Sequence, residues 1–210
     1  MNHASCIQGL YAICDTSFSP QYSHRQLAEM ILQGGCKILQ LRMKGEKDLS
    51  KVKKSAEEIL ELKKRFSFTF ILNDYVELAA ALPVDGVHIG QDDFPIQVTR
   101  KIIGPQKLIG FSSHSLEEAV RAEQQGADYV ALGAIFPTQT KGPGHPVQGL
   151  EILKKVVESI KAPVVAIGGI TPQNIVSVKN TGVAAIAMIT AISKAADPLK
   201  ASQELIRLIA

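Results

Sequence analysis

The chain has 210 residues, 46% hydrophobic and 20% charged, and its 23 Lys+Arg against 20 Asp+Glu leave a formal charge of +3. That balance gives no footing for nucleic acid, and no apolar run reaches the ~18 residues a bilayer span needs. The N-terminus, Met-Asn-His-Ala-Ser-Cys, lacks the basic-then-apolar order of a signal peptide, and three cysteines without a Cys-x-x-Cys pair suggest neither a disulfide framework nor a zinc site, so a cytoplasmic protein is expected.

Apolar, β-branched-rich runs recur at 8–14, 36–42, 67–72, 85–89, 107–111, 127–133, 163–167 and 183–189. Between them the spacing turns helical, as in Leu49, Val52, Ala56, Ile59 and Lys63, with Lys and Glu on the opposite face. Start signals mark several helices. Ser115 with Glu118 forms a capping-box pattern, and Thr171-Pro172 and Asp197-Pro198 each place a capping side chain before a proline at the first helical position.

Strands that are apolar on both faces and alternate with helices imply a parallel sheet covered by helices. Spreading 210 residues over eight units leaves about 26 per unit, which suits a compact α/β (β/α)8 TIM barrel with short loops. An open doubly wound sheet is the alternative. With no internal repeat, low-complexity stretch or Pro/Gly linker, residues 1–210 are expected to form one catalytic barrel domain.

In such a barrel the chemistry sits where strands end. Those positions carry Gln40, Arg42 and Lys44 after strand 2, Asn73 and Asp74 after strand 3, and Gln91, Asp92 and Asp93 after strand 4. Strand 5 contributes Ser112, Ser113 and His114, and strand 6 leads to Thr138, Thr140 and Lys141 in a Gly/Pro-rich loop. Arg42, Lys44 and Lys141 meeting Asp74 and Asp93 at one mouth would suit a diphosphate held partly through Mg2+, which takes one or two carboxylates and fills its octahedron with phosphate oxygens and water. A ring of surface salt bridges, or a helix cap at Asn73-Asp74, would account for the same residues in structural terms.

Gly168-Gly169 follows the seventh run and, with the end of the eighth at Ile189-Thr190, occupies the usual phosphate position of such barrels. Two phosphate-type sites, one wanting metal and one not, imply two phosphorylated small molecules or one with well-separated phosphates. Among the histidines, His88 is a candidate to point into the barrel and line the pocket, His114 is as readily a packed loop residue as a proton shuttle, and His145 reads as solvated. Cys14 has no basic neighbour in sequence and is a poor nucleophile candidate.

At these residues the chain resembles the thiamine phosphate synthase family, along essentially its whole length. The segments that carry the resemblance are Leu39 to Lys44, Ile71 to Asp74, Asp85 to Asp93, Gly110 to His114, Gly133 to Lys141, Gly168 to Ile170 and the end of the eighth strand. The resemblance implies a transferase joining 4-amino-5-hydroxymethyl-2-methylpyrimidine diphosphate to a thiazole phosphate, giving thiamine phosphate and pyrophosphate through a pyrimidine cation. It assigns Gln40, Leu41, Arg42, Met43, Lys44, Asn73, Ser112 and Lys141 to the pyrimidine diphosphate, with Arg42, Lys44 and Lys141 aiding catalysis. Thr138, Gln139, Thr140, Gly169, Ile189 and Thr190 go to the thiazole phosphate, and Asp74 and Asp93 to Mg2+.

Thr190 stands where the family usually has serine, and Cys14 precedes Asp15 where threonine is common. Two rivals remain: a thiazole tautomerase of the same barrel, which carries histidine where this chain has Ala134, and a regulator that binds a thiamine precursor without turnover. The expected partners are phosphorylated small molecules, with no nucleic acid and no membrane, and a homo-oligomer is left open.

Overall fold

Side chains alternate along each strand, and here the alternation separates two apolar layers. Leu10, Ala12, Leu39, Leu41, Phe70, Leu72, Val87, Ile109, Val130 and Ala166 join the layer between strands and helices, whereas Tyr11, Ile13, Ile38, Ile71, Leu108, Tyr129, Ala131, Val165 and Ala187 fill the interior of a barrel. The computed structural model describes residues 3–138 and 146–210. Its strands are β1 Gly9–Cys14, β2 Ile38–Leu41, β3 Thr69–Asn73, β4 Gly86–Ile89, β5 Leu108–Ser113, β6 Tyr129–Leu132, β7 Val164–Ile167 and β8 Ala185–Met188. They run parallel in chain order, and β8 returns to pair with β1, from Gly9 opposite Ala185 to Ala12 opposite Met188. The sheet is a closed eight-stranded barrel, so the open doubly wound alternative is excluded.

The helices are α1 His24–Gln33, α2 Leu49–Leu60, α3 Val76–Ala81, α4 Ile96–Ile103, α5 Leu116–Gln124, α6 Gly149–Ser159, α7 Ile175–Lys179, α8 Thr190–Ser193 and α9 Pro198–Ile209. In α2 the stripe of Val52, Ala56 and Ile59 is fully buried, and burying a side chain such as Val52 or Ile59 contributes about 2 kcal/mol. The ends of that stripe differ from expectation. Leu49 is 52% exposed, and beyond the helix Leu62, in a 3₁₀ turn, takes the inward place instead of Lys63.

Three helix starts show how local signals fare in context. Asp197 caps α9 by accepting from the Lys200 amide, with Pro198 opening the helix as expected. At α5, Ser115 accepts from the Glu118 amide, but the Glu118 carboxylate passes over Ser115 and takes the His114 amide at 2.7 Å, so only half of the capping box forms. Thr171-Pro172 does not start α7. The Asn174 side chain accepts from the Thr171 amide at 2.8 Å and donates to the Gly169 carbonyl at 3.0 Å, tying 169–174 into a turn and delaying the helix to Ile175. No helix of the described residues is long and apolar enough to cross a membrane.

Candidate active site

The alternation that fills the barrel also supplies its polar end. Two residues above the buried Ile38 and Ile71 come Gln40 and Asn73, and His88 and Ser112 occupy the corresponding inward places on β4 and β5. They open into a cavity of about 430 Å³ also lined by Arg42, Lys44, Asp74, Asp92, Asp93 and His114. Seven of the residues expected at the diphosphate are therefore together: Gln40, Arg42, Lys44, Asn73, Asp74, Asp93 and Ser112. Leu41 and Met43 are not in this lining. The Leu41 side chain is buried in the outer layer, leaving only main chain for a ligand, and Met43 packs against that same layer.

The cations of this mouth are already paired. Arg42 forms an ion pair with the buried Asp15, whose other oxygen accepts from the Ser17 amide at 3.0 Å and the Ser17 hydroxyl at 2.5 Å. Lys44 Nζ lies 2.9 Å from Asp74 Oδ2. Tyr75 clamps residues 43–46, its one hydroxyl hydrogen shared between the Met43 carbonyl at 2.7 Å and the Glu46 carbonyl at 2.9 Å.

Asp74 does not cap α3, which begins after Tyr75 without a side-chain cap. It sits instead at φ 69°, the left-handed region that L residues enter at a cost and that Asp and Asn tolerate best among non-glycines. Burial raises the pKa of its carboxyl above the ordinary aspartate value; the Lys44 hydrogen bond pulls it down, and the neighbouring Asp93 carboxylate pushes it up. Asp93 is itself oriented by the Gly90 amide, which donates to its Oδ2 at 2.7 Å.

The donor chemistry fits a magnesium ion. Asp74 and Asp93 face one another closely enough to repel, and the described lining sets two cations, Arg42 and Lys44, against three carboxylates. A diphosphate entering that mouth needs further positive charge. Among the described residues no group of three or more His, Cys, Asp or Glu is placed to hold a metal, so two carboxylates would leave the remaining positions to phosphate oxygens and water.

A second cavity, of about 550 Å³, adjoins the first, and Ile167, Ala187, Ile189 and His114 line both. It is lined by Ala134, Thr138, Gly168, Gly169, Thr190 and Lys194, which brings together Thr138, Gly169, Ile189 and Thr190 of the expected thiazole phosphate set. Gln139, Thr140, Lys141 and His145 lie outside the described residues. Gly169 has φ 66°, and a Cβ there would lie 2.6 Å from the carbonyl oxygens of Phe136 and Pro137, so glycine lets the strand 6 and strand 7 loops touch.

Four residues in or behind the two cavities carry roles that strand-end reading did not give. Asp15 holds Arg42. Lys194 is the sole Lys or Arg in the described lining of the second cavity, its ammonium 5.5 Å from the Phe18 ring centroid. Tyr11 and Tyr129 fall within the apolar runs 8–14 and 127–133; inward-facing and fully buried, they carry hydroxyls into a hydrogen-bonded floor. His88 lines the first cavity as expected, and His114 packs with its ring 3.4 Å from Glu118. Cys14 is buried and donates to the His24 carbonyl; burial raises its thiol pKa far above the ordinary value, which removes it as a nucleophile.

Comparison with known proteins follows the same lines. A family model described as thiamine monophosphate synthase matches residues 10–192. A thiamine-phosphate synthase of Shouchella clausii is 41% identical over 197 residues, covering 94% of each chain. One from Archaeoglobus fulgidus is 41% identical over 202 residues, 95% of this chain and 92% of that relative. A solved thiamine phosphate pyrophosphorylase from Pyrococcus furiosus superposes with a TM-score of 0.89 at 38% identity, covering 98% of this chain and 96% of the other.

Proposed function

The chain belongs to the thiamine monophosphate synthase family, and on that premise we propose that it condenses 4-amino-5-hydroxymethyl-2-methylpyrimidine diphosphate with a thiazole phosphate to give thiamine phosphate and pyrophosphate. The observation that carries this reading is the pair of abutting cavities, one with cations and carboxylates, the other with Gly168, Gly169, Thr138, Thr190 and a single lysine, meeting along Ile167, Ala187, Ile189 and His114. A condensation of two phosphorylated molecules needs such neighbours, because the carbon that loses pyrophosphate must face the attacking nitrogen.

In this scheme the carbon–oxygen bond to the diphosphate breaks, its electron pair leaves with pyrophosphate, and the thiazole nitrogen supplies the pair for the new carbon–nitrogen bond. Arg42, held in place by Asp15, would face the leaving group and stabilise its growing charge, and Lys44 would join it by exchanging Asp74 for the diphosphate. Asp74 and Asp93 would hold Mg2+, which would supply further neutralisation of the leaving diphosphate. Gln40, Asn73 and Ser112 bind and orient the pyrimidine from the barrel floor. Main-chain amides around Gly169 and Ile189-Thr190, with Lys194, hold the thiazole phosphate. No side-chain nucleophile is called for.

The tautomerase reading is not favoured: Ala134 lines the second cavity where that branch carries histidine, and both metal-type carboxylates are present. A binder without turnover is not favoured either, since Lys44, Asp74 and Lys141, whose loss would signal it, are all present in the sequence. We infer that one barrel over 1–210 makes up the catalytic unit. The test is formation of thiamine phosphate and pyrophosphate from the two substrates with Mg2+; binding of both without either product would overturn the reading.

A further inference from the structure

Beneath the first cavity one hydrogen-bonded chain crosses the barrel. Gln40 Nε2 donates to the Tyr11 hydroxyl at 2.8 Å, and the Tyr11 and Tyr129 hydroxyls lie 2.8 Å apart. The Tyr129 hydroxyl lies 3.1 Å from His88 Nδ1, and His88 Nε2 lies 2.9 Å from Ser112 Oγ. Its first four members are buried. The chain also has a space reserved for it: a Cβ at Gly110 would lie 2.3 Å from the Tyr129 hydroxyl and 2.5 Å from His88 Nδ1, so only glycine there lets these two meet.

Counting hydrogens gives the chain a direction. With the Gln40 amide nitrogen turned toward Tyr11, the Tyr11 oxygen accepts; the amide carbonyl in that place would reverse every link, and the His88 tautomer tells the two apart. The Tyr11 hydrogen then goes to Tyr129, because the reverse would leave a buried phenolic hydrogen without an acceptor in the chain. Burial raises the pKa of both phenols, so each keeps its hydrogen. Tyr129 in turn donates to His88 Nδ1, which leaves the imidazole proton on Nε2, donated to Ser112 Oγ. Ser112 has its own hydrogen left to offer.

We propose that Tyr11, Tyr129 and His88 are positioning residues that form a one-directional relay, fixing the Gln40 amide in a single orientation and making Ser112 a donor, so that the site selects a 4-aminopyrimidine over its 4-oxo counterpart. The chemistry of the two rings explains the selection. An amino group beside a ring nitrogen presents donor then acceptor, and a carbonyl beside a ring N–H presents the reverse. An amide held by Tyr11 matches one of these patterns; a released amide turns over and matches either. This rests on the assignment of the first cavity to the pyrimidine substrate.

Two measurements test it. In the intact protein labelled with 15N-histidine, NMR should show His88 neutral with its proton on Nε2; a proton on Nδ1 would reverse the relay and overturn the proposal. In Tyr11→Phe, which keeps the ring and removes the hydroxyl, the ratio of kcat/KM for the 4-amino over the 4-oxo diphosphate should fall about tenfold, the size of one hydrogen-bond preference. A merely structural tyrosine would lower both substrates alike and leave the ratio unchanged, which also overturns the proposal. Should Tyr11→Phe not fold, Tyr129→Phe cuts the chain at its next link and is read in the same way. A wild-type protein that condenses neither diphosphate defeats the assigned activity alone, since the His88 spectrum still decides the direction of the relay.

Discussion

Asp15 at the end of β1 and Arg42 at the end of β2 form an ion pair across neighbouring strands, and Asp15 is the more buried of the two. The Arg42 amide also donates to the Cys14 carbonyl at 3.0 Å, so both main chain and side chain fix the arginine at the cavity mouth. Asp15→Ala removes the partner of a part-buried cation and the cap of the Thr16–Phe18 turn, and is expected to cost about 3 kcal/mol of stability. Asp15→Asn keeps an acceptor for the Ser17 amide but loses the charge. It should fold, raise KM for the diphosphate and lower kcat, with KM for the thiazole phosphate little changed. Thermal unfolding and two-substrate kinetics check both variants.

Asp74 sets metal binding against stability. With burial raising its pKa, the folded chain binds this proton more tightly than the unfolded chain does. Its stabilising share is therefore complete below the ordinary aspartate range and is lost as pH rises through the raised value. Without metal at neutral pH, Asp74→Asn should melt higher than the wild type, the more so because asparagine accepts φ 69° readily. The same variant should lose Mg2+-dependent turnover. Calorimetry with and without Mg2+ decides the matter: the ion should raise the wild-type Tm and leave the variant's unchanged.

Lys194 offers the cleanest probe of the second cavity. Gly169→Val would press a side chain onto the carbonyls of Phe136 and Pro137, so it reports packing before it reports phosphate. Lys194 is exposed, and Lys194→Met should leave the fold unchanged while raising KM for the thiazole phosphate about fivefold, as expected for one partly screened charge near a phosphate. The effect should shrink in high salt and be absent with the unphosphorylated thiazole alcohol. Equal KM values for both thiazoles, wild type against variant, would remove Lys194 from the phosphate site.

Lys141, outside the described residues, carries an expectation from its place in the sequence and from the family resemblance. Delivered to the leaving group, its charge would act on the transition state, and Lys141→Ala should slow single-turnover chemistry with both substrates saturating by roughly 10²- to 10³-fold. A rate within about threefold of wild type would leave that work to Arg42, Lys44 and the metal.

The fold was legible because its code is short-range. Alternation within four to six residues separates Leu39 and Leu41 from Ile38 and Gln40, and the inward place above an apolar residue falls at a strand end, where polar side chains announce themselves. Asn73 and Ser112 fall in such inward places, and Asp74 and Asp93 in the loops just beyond their strands. What escaped depends on contacts made far along the chain. Asp15 pairs 27 residues away with Arg42, and Tyr11 meets Tyr129 across 118 residues, so nothing near either residue marks it as more than a turn cap or a core ring. Thr171-Pro172 failed for a different reason: Asn174, three residues on, offered the main chain a better set of partners.

The wall common to the two cavities also has a bearing on yield. Three of the four residues common to the cavities, Ile167, Ala187 and Ile189, present hydrocarbon where the two spaces meet, beside His114, and no side chain of the three can hold a water molecule. A reactive pyrimidine formed beside such a wall meets the thiazole before it meets solvent, so few molecules should be wasted as the free pyrimidine alcohol. The thrift of the pathway, counted as vitamin precursor made per diphosphate consumed, would then be set by three aliphatic residues that take no part in the chemistry.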